Sequence, residues 1–257
     1  MVNAMKKTQY SAPSVKKAFK ILQTIADSPV ALGVSELANR LKIGKSTVLG
    51  ITSALEETGM LVRDTLHKKY GVGYSLLELS RKAHVKMELR DVARKPMESL
   101  AEKVGETVFV GILNGDHVTV LDVVESQNEL KITSPPGTQL PLLAGATGRI
   151  FLAQLEEMEA KEIVQKMGLV RYTPKSVVDP KRFFKDVEET KKKGYTIDDE
   201  EYLPGVRAVA APIQTASFPP AAIWAVGFTS SLNDQKMEKI IPEIQKTARE
   251  IGHSIKQ

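Results

Sequence analysis

The chain has 257 residues, of which 42% are hydrophobic and 26% charged, an ordinary globular composition with enough length for two domains. It contains no cysteine, which excludes disulfides, thiolate metal sites and thiol catalysis. No apolar run approaches the roughly 18 residues of a membrane span, and the N-terminus lacks the apolar stretch of a secretory signal. We therefore expect a cytoplasmic protein without membrane contact.

The net charge of +5 is concentrated at one end of the chain. Residues 1–73 hold 11 Lys and Arg against 5 Asp and Glu, whereas the remainder holds 25 against 26. A basic excess confined to one segment indicates a polyanionic partner for that segment. The alternative is a solvated basic face without a partner.

The first predicted helix follows Ser14, a natural N-cap residue. Apolar side chains recur with helical spacing from Val15 to Ala26, and Pro29 prevents the helix from continuing. Ser35 is predicted to cap a second, shorter helix.

A third helix is predicted from Lys45 or Ser46 to Gly59. The connection before it, Lys42-Ile43-Gly44, is short, and Gly44 is free to take a positive φ. Two short helices joined by a glycine-bearing turn, after one longer helix, are typical of a helix-turn-helix.

A two-stranded hairpin is predicted next, from residues 60–63 and 69–72, with Arg63, His67, Lys68 and Lys69 around its tip. Three helices alone could form any small bundle. The hairpin, interpreted as a wing, and the local basic charge favour a nucleic-acid-binding module instead.

Residues 14–73 resemble the DNA-binding domain of the IclR (isocitrate lyase regulator) family. The resemblance rests on SELANRLKIGKSTV (35–48), LEETGMLVRD (55–64) and KYGVGYSLLEL (69–79). It differs at Leu49-Gly50, where the family has a bulky polar residue and Arg, and at the Tyr70–Gly73 segment, where an arginine is customary.

The resemblance implies DNA contacts from the second helix, the third helix and the wing. Lys45, Ser46 and Thr47 would enter the major groove, although the two hydroxyls could simply cap the helix. Basic side chains would contact phosphates. The full set of candidate DNA contacts is Ser35, Arg40, Lys42, Lys45, Ser46, Thr47, Arg63, Lys68 and Lys69.

Residues 74–104 favour helix, and Pro96 predicts a break or a new helix start near it. We expect a winged helix-turn-helix domain at residues 1–73, a helical linker at 74–88 and a second domain at 89–257. The linker could transmit a shift between the domains or serve as a dimer-packing spacer.

The second domain is predicted to be α+β with one antiparallel sheet. Strands are predicted at 107–113 and 118–124, joined by an Asn-Gly turn, and at 207–213 and 222–228. Helices are predicted at about 146–155, 157–167, 180–193 and 233–255, the last kinked at Pro242.

This segment resembles the effector-binding domain of the same family, through GETVFVGILNGD (105–116), LPLLAGATGRIFLA (140–153), GYTIDDEE (194–201) and GVRAVAAPI (205–213). The resemblance implies a GAF-like fold, a small-molecule effector, and homodimers or dimers of dimers. A two-fold dimer implies a palindromic double-stranded operator.

The candidate effector site combines a helix start with four positions implied by the resemblance. The backbone N–H groups of Gly145, Ala146, Thr147 and Gly148 could hold a carboxylate. Asp198, Ala208, Trp224 and Val226 would line the pocket, which favours an apolar or aromatic carboxylate over a small polar acid. The alternative is that Trp224 fills the space as core.

Leu143 stands where the family commonly has His. The acidic run at 198–201 has no nearby histidine, so we expect a solvated loop with Asp198 turned inward. The four histidines have no metal spacing, and no nucleotide-binding or hydrolase motif is present, so we expect no metal, no cofactor and no enzymatic activity. An enzyme with a GAF-like domain and an architectural DNA-binding protein without an effector are the alternatives; repression and activation both remain open.

Overall fold

The computed structural model describes residues 12–84, 88–214 and 219–255, with side chains of residues 80–88 excluded. Within these ranges no helix is long and apolar enough to cross a membrane. The chain divides into two compact units between residues 87 and 88. Each unit is described by itself.

The described part of the N-terminal unit, residues 12–84, contains four helices and three short strands. They are α1 (Pro13–Ala26), β1 (Leu32–Gly33), α2 (Val34–Leu41), α3 (Lys45–Glu57), β2 (Leu61–Asp64), β3 (Lys69–Val72) and α4 (Tyr74–His84). The strands form an antiparallel sheet in the order β1-β3-β2. Apolar side chains of α1, α2, α3 and the sheet form one core, with Ile21, Leu32, Leu37, Val48 and Tyr70 almost completely buried.

Both predicted helix caps in this unit are wrong. The N-cap of α1 is Ala12, because Pro13 occupies the first helical position, where its missing N–H costs no hydrogen bond. The N-cap of α2 is Gly33, not Ser35, and the Glu36 Oε2 accepts a hydrogen bond from the Gly33 N–H at 2.6 Å.

The turn between α2 and α3 also differs from its prediction. The left-handed residue is Lys42, with φ 53°, whereas Gly44 has φ −59° and is the N-cap of α3. The Ile43 N–H bonds to the Ala38 carbonyl, which closes α2. The chain therefore changes direction at Lys42, the C-terminal cap of α2, and not at Gly44.

In the C-terminal unit, the described residues form a six-stranded antiparallel sheet with helices on both faces. Its elements are α5 (Glu88–Val104), β4 (Thr107–Asn114), β5 (His117–Val124), β6 (Gln139–Pro141), α6 (Gly145–Leu152), α7 (Glu157–Met167), α8 (Pro180–Lys193), β7 (Thr196–Asp199), β8 (Val206–Ile213), β9 (Ala221–Phe228) and α9 (Asp234–Ile255). The strand order is β6-β5-β4-β9-β8-β7. The predicted α+β class with a single antiparallel sheet is confirmed.

Strand alternation builds two cores on this sheet. Phe109, Ala222 and Trp224 face a cluster that includes α6, α7 and α8. The intervening residues of the same strands, such as Val110 and Ile223, are completely buried on the other face, where α5 and α9 pack. Burial on both faces explains why β4 and β9 have nearly continuous apolar sequences.

The predicted break at Pro96 is wrong, because Pro96 lies inside α5. Leu89, Ala93, Met97 and Leu100 form a buried stripe that passes through the proline without interruption. Packing of that stripe outweighs the one hydrogen bond that the proline removes. The end of α4 at His84 and the start of α5 at Glu88 are separated by residues 85–87, which lie outside the described residues.

Candidate DNA-binding surface and effector cavity

The first turn of α3 presents polar side chains to solvent. Lys45, Ser46 and Thr47 are exposed, whereas Val48 and Thr52 are completely buried. Neither hydroxyl caps the helix, since the N-cap is Gly44 and no side chain bonds to the N-terminal amides. Among the residues that the structure describes, neither hydroxyl has a hydrogen-bond partner.

The other predicted DNA contacts lie in α2, in the turn after it and in the wing. All are exposed except the half-exposed Lys69; the set is Ser35, Arg40, Lys42, Arg63, Lys68 and Lys69. The Arg63 guanidinium lies over the Tyr70 ring, 5.7 Å from its centre. The Lys69 Nζ lies 3.5 Å from the Glu36 carboxylate, so its charge is partly neutralised.

The wing turn is organised by one carboxylate. Asp64 accepts hydrogen bonds from the Leu66 N–H at 2.8 Å and from the His67 Nδ1 at 2.7 Å. The bond to His67 is the main reason that the pKa of Asp64 is lowered. Lys68 follows in the left-handed conformation, with φ 54°, and its side chain is exposed at the tip.

In the C-terminal unit a cavity of about 180 Å³ lies against the sheet between α6 and the segment after β7. Six of the eight predicted effector residues line it: Ala146, Thr147, Asp198, Ala208, Trp224 and Val226. Sequence reasoning missed the other lining residues, which are Phe109, Ile132, Ser134, Leu140, Ala144, Tyr202, Leu203 and Val206. Most of these are apolar, and the lining contains no Lys or Arg.

Gly145 and Gly148, the other two predicted effector residues, are outside the lining. Gly145 has φ +50°, and a Cβ there would lie 1.7 Å from the Asp198 Oδ2. A Cβ at Gly148 would come within 3.2 Å of Leu143 and Phe183. Both glycines are therefore required by close packing around α6.

Trp224 is both a core residue and a wall of the cavity. Its side chain is 4% exposed, and its ring stacks on its cross-strand neighbour Phe109 with centres 5.7 Å apart and planes inclined by 12°. The two alternatives for Trp224, lining and core, are thus combined in one side chain.

Asp198 occupies the start of α6 from the side of β7. Asp198 is 7% exposed, and its carboxylate accepts a hydrogen bond from the Glu201 N–H at 2.7 Å. It lies so close to the first residue of α6 that a Cβ at Gly145 would be 1.7 Å from its Oδ2. Burial is the main cause of its raised pKa. The helix start that was expected to hold an effector carboxylate therefore already lies beside a carboxylate of the protein.

The rest of the acidic run is paired rather than simply solvated, which corrects the expectation. Asp199 bonds to Arg207 at 2.6 Å, and Glu200 bonds to Lys175 at 2.7 Å. Glu201 holds the buried guanidinium of Arg149 through both oxygens, at 2.6 and 2.9 Å. Among the described residues no group of three or more acidic or histidine side chains could hold a metal ion.

Arg149 ties α6 to the turn that carries Asp198. Besides Glu201, it donates to the Thr196 hydroxyl at 3.0 Å and to the Ile197 carbonyl at 2.5 Å. Sequence reasoning missed this residue. The sequence did hold a sign of it, a single arginine within the apolar segment GRIFL (148–152). A cation on a buried helix needs a polar or charged partner, so this pattern predicts a buried ion pair.

Family models match both units of the chain. The model described as IclR helix-turn-helix domain covers residues 14–65, and that described as bacterial transcriptional regulator IclR C-terminal covers residues 81–253. The chain belongs to the IclR family. This IclR-family chain is therefore a DNA-binding transcriptional regulator with a C-terminal effector-binding domain, and not an enzyme.

Curated relatives agree with this assignment, and a solved structure shares the fold. The HTH-type transcriptional regulator BhcR of Paracoccus denitrificans is 31% identical, over 93% of this chain and 86% of its own length. The transcriptional repressor IclR of Escherichia coli is 28% identical, over 93% of this chain and 88% of its own. An IclR homologue from Microbacterium hydrocarbonoxydans, solved in complex with 4-hydroxybenzoate, shares the fold with a TM-score of 0.79 at 22% identity, over 95% of this chain and 99% of its own.

Proposed function

We propose that the N-terminal unit binds its operator with the first turn of α3 in the major groove. Lys45, Ser46 and Thr47 then lie nearest the bases. Their side chains are exposed and do not cap the helix, which supports this role. The exposed cations of α2, its turn and the wing contact phosphates; they are Arg40, Lys42, Arg63, Lys68 and Lys69. Ser35 adds a hydroxyl near the start of α2.

The phosphate role is tested by removing one charge without straining the backbone. Lys42 and Lys68 both have positive φ, so alanine would add strain, whereas asparagine tolerates the left-handed conformation. Lys42→Asn and Lys68→Asn should weaken binding to all sequences about equally and reduce the slope of log Kd against log salt by about 1. Lys181→Asn, in the C-terminal unit, is the matched control. An unchanged slope in both Lys42→Asn and Lys68→Asn would contradict their assignment as phosphate contacts.

We infer that the cavity binds an apolar or aromatic carboxylate, and that the ligand changes operator affinity. The observation that carries this is the lining: a stacked Trp224 and Phe109, with Ala208, Val226 and Leu140 around them, offers an aromatic ring apolar contact. A small polar acid would leave its oxygens largely unpaired there. The complex of the Microbacterium homologue with 4-hydroxybenzoate supports the same class of ligand.

Asp198 constrains how such a ligand is held. Two ionised carboxylates cannot lie close together in a buried site, so one must take up a proton. Asp198, whose pKa is already raised by burial, is the group we propose is protonated. The O–H of protonated Asp198 then donates a hydrogen bond to the ligand carboxylate at the start of α6, beside Gly145–Gly148. Thr147 lies next to Asp198 in the lining.

The ligand assignment is tested with the intrinsic fluorescence of Trp224, the only tryptophan of the chain. 4-Hydroxybenzoate should change its emission and the operator affinity over the same concentration range, whereas pyruvate should do neither. If the chain is instead an architectural DNA-binding protein without an effector, its DNA affinity should stay constant with every ligand. A fluorescence change without a change in DNA affinity would leave the cavity as a binding site but refute its regulatory role.

We further propose a cytoplasmic homodimer or dimer of dimers on a palindromic operator, acting as a repressor. The names of several relatives, among them the repressor IclR of Escherichia coli, support repression. Two-fold symmetry of the protein would impose two-fold symmetry on its site. Sedimentation of the full chain and of a fragment beginning at residue 88 should both give dimers or larger. A monomeric full chain at micromolar concentration would refute the dimer.

A further inference from the structure

The middle of α3 exposes two residues to which the assigned DNA contacts give no role. Leu49 is 49% exposed, and Gly50 beside it is also exposed. They follow Ser46 by three and four positions, so the three residues share one helix face, with Ser53 one turn further on. This face carries no charged or amide side chain at these positions.

Gly50 is not explained by the fold of its own unit. A glycine in a helix interior is less favourable than alanine by about 1 kcal/mol. Its φ is not positive, and a Cβ at Gly50 would meet no atom within 4 Å. Alanine would therefore fit and stabilise the helix. Glycine is instead expected where a backbone must approach a ligand closely.

Leu49 is suited to one feature of the major groove. Arginine, lysine, asparagine and glutamine read purines by paired hydrogen bonds, but a leucine can only make apolar contact. The apolar group that DNA presents in the major groove is the C5-methyl of thymine. An exposed leucine one turn beyond Ser46 would lie over such a methyl group.

We propose that Leu49 and Gly50 form a thymine-reading patch at the centre of α3. Leu49 packs on the C5-methyl of one thymine in each half-site, and Gly50 lets the helix approach the base edges closely enough for that contact. This inference rests on the proposed placement of α3 in the major groove.

The contact with the methyl group is tested by removing the methyl alone. Duplexes are selected from a random pool with the full-length protein, and each recurrent thymine is then replaced singly by uracil. At one thymine per half-site the replacement should weaken binding about fourfold, the effect of one buried methyl-sized group. Leu49→Ala should bind the thymine and uracil duplexes equally, whereas Thr47→Ser should keep the difference. Leu130→Ala, another exposed leucine, is the matched control.

Gly50→Ala separates recognition from folding, because its two expected effects have opposite signs. The variant should melt at a higher temperature, since the added methyl group is unobstructed and alanine favours helix. It should nevertheless bind the selected duplex at least about fivefold more weakly, the loss of one base contact. A misfolded variant cannot give this pair of results.

Three results would overturn the patch: selected duplexes without a recurrent thymine, a uracil penalty that persists in Leu49→Ala, or unchanged DNA affinity of Gly50→Ala. Other variants test whether α3 lies in the major groove, the placement on which the patch depends. If Ser46→Ala changes base preference and Lys42→Asn weakens binding, α3 is in the groove and only the patch is wrong. If neither variant has an effect, the placement of α3 itself is wrong.

Discussion

Replacement of Trp224 by alanine should impair folding stability and ligand binding together. The side chain is 4% exposed and stacks on Phe109, so its removal leaves a void in the main core cluster of the C-terminal unit. Truncation of a buried tryptophan costs about 3–5 kcal/mol. At about 2–4 °C for each kcal/mol in a domain of this size, the melting temperature should fall by about 6–20 °C.

The ligand effect is separated from the stability effect by a matched core variant. Phe151 is completely buried in the same cluster but does not line the cavity. Phe151→Ala should destabilise the unit to a similar extent, about 3–5 kcal/mol, and keep its affinity for 4-hydroxybenzoate. Trp224→Ala should lose about tenfold or more of that affinity, because an aromatic stack and its apolar contact are removed.

Calorimetry measures both quantities. Melting temperatures come from scanning, and ligand affinity comes from titration below the melting range of both variants, with release of labelled operator as the functional readout. If Trp224→Ala melts like the parent chain, the burial argument is wrong. If both variants lose ligand affinity equally, the effect is general loosening and Trp224 has no special place in the site.

Two further predictions concern the surroundings of the cavity. Burial raises the pKa of Asp198, so its contribution to stability is fully present below its unfolded value, near 3.8, and is lost as the pH rises through its folded value. The melting temperature of the parent chain should therefore fall relative to that of Asp198→Asn as the pH rises above 3.8. Affinity for 4-hydroxybenzoate should decline with rising pH in the parent chain but not in the variant. Parallel pH profiles of the two proteins would contradict this prediction. Gly111→Ala should destabilise the C-terminal unit by about 1–3 kcal/mol in thermal melts. The reason is that the new Cβ would lie 2.7 Å from the Thr119 carbonyl oxygen and 2.8 Å from the Trp224 ring. An unaltered melting temperature would show that the sheet can adjust at this position.

Local sequence patterns determined most of the secondary structure. The helical spacing from Val15 to Ala26 and the β-branched run in residues 118–124 match α1 and β5 closely. The basic excess before residue 73 and the exposed first turn of α3 belong to the same unit. These features depend on neighbours a few positions apart, which is why a sequence can reveal them.

Short elements were missed because their own residues do not specify them. β1 has two residues and exists through its pairing with Tyr70 and Lys69, and β6 has three residues paired with β5. Pro96 was misinterpreted for a related reason, since the local cost of a proline in α5 is outweighed by a buried stripe that only packing completes.

The effector cavity shows most clearly what the tertiary structure alone decided. The family resemblance indicated Asp198, Trp224 and Val226, but their arrangement depends on residues far away in the chain. Phe109 reaches Trp224 only because β4 and β9 are neighbours in the sheet, and Gly145 lies against Asp198 only because α6 packs against β7. The sequence therefore determined which side chains are available for the site. The packing of distant elements determined that a carboxylate of the protein already lies at the start of α6, because the fold brings together residues that are far apart along the chain.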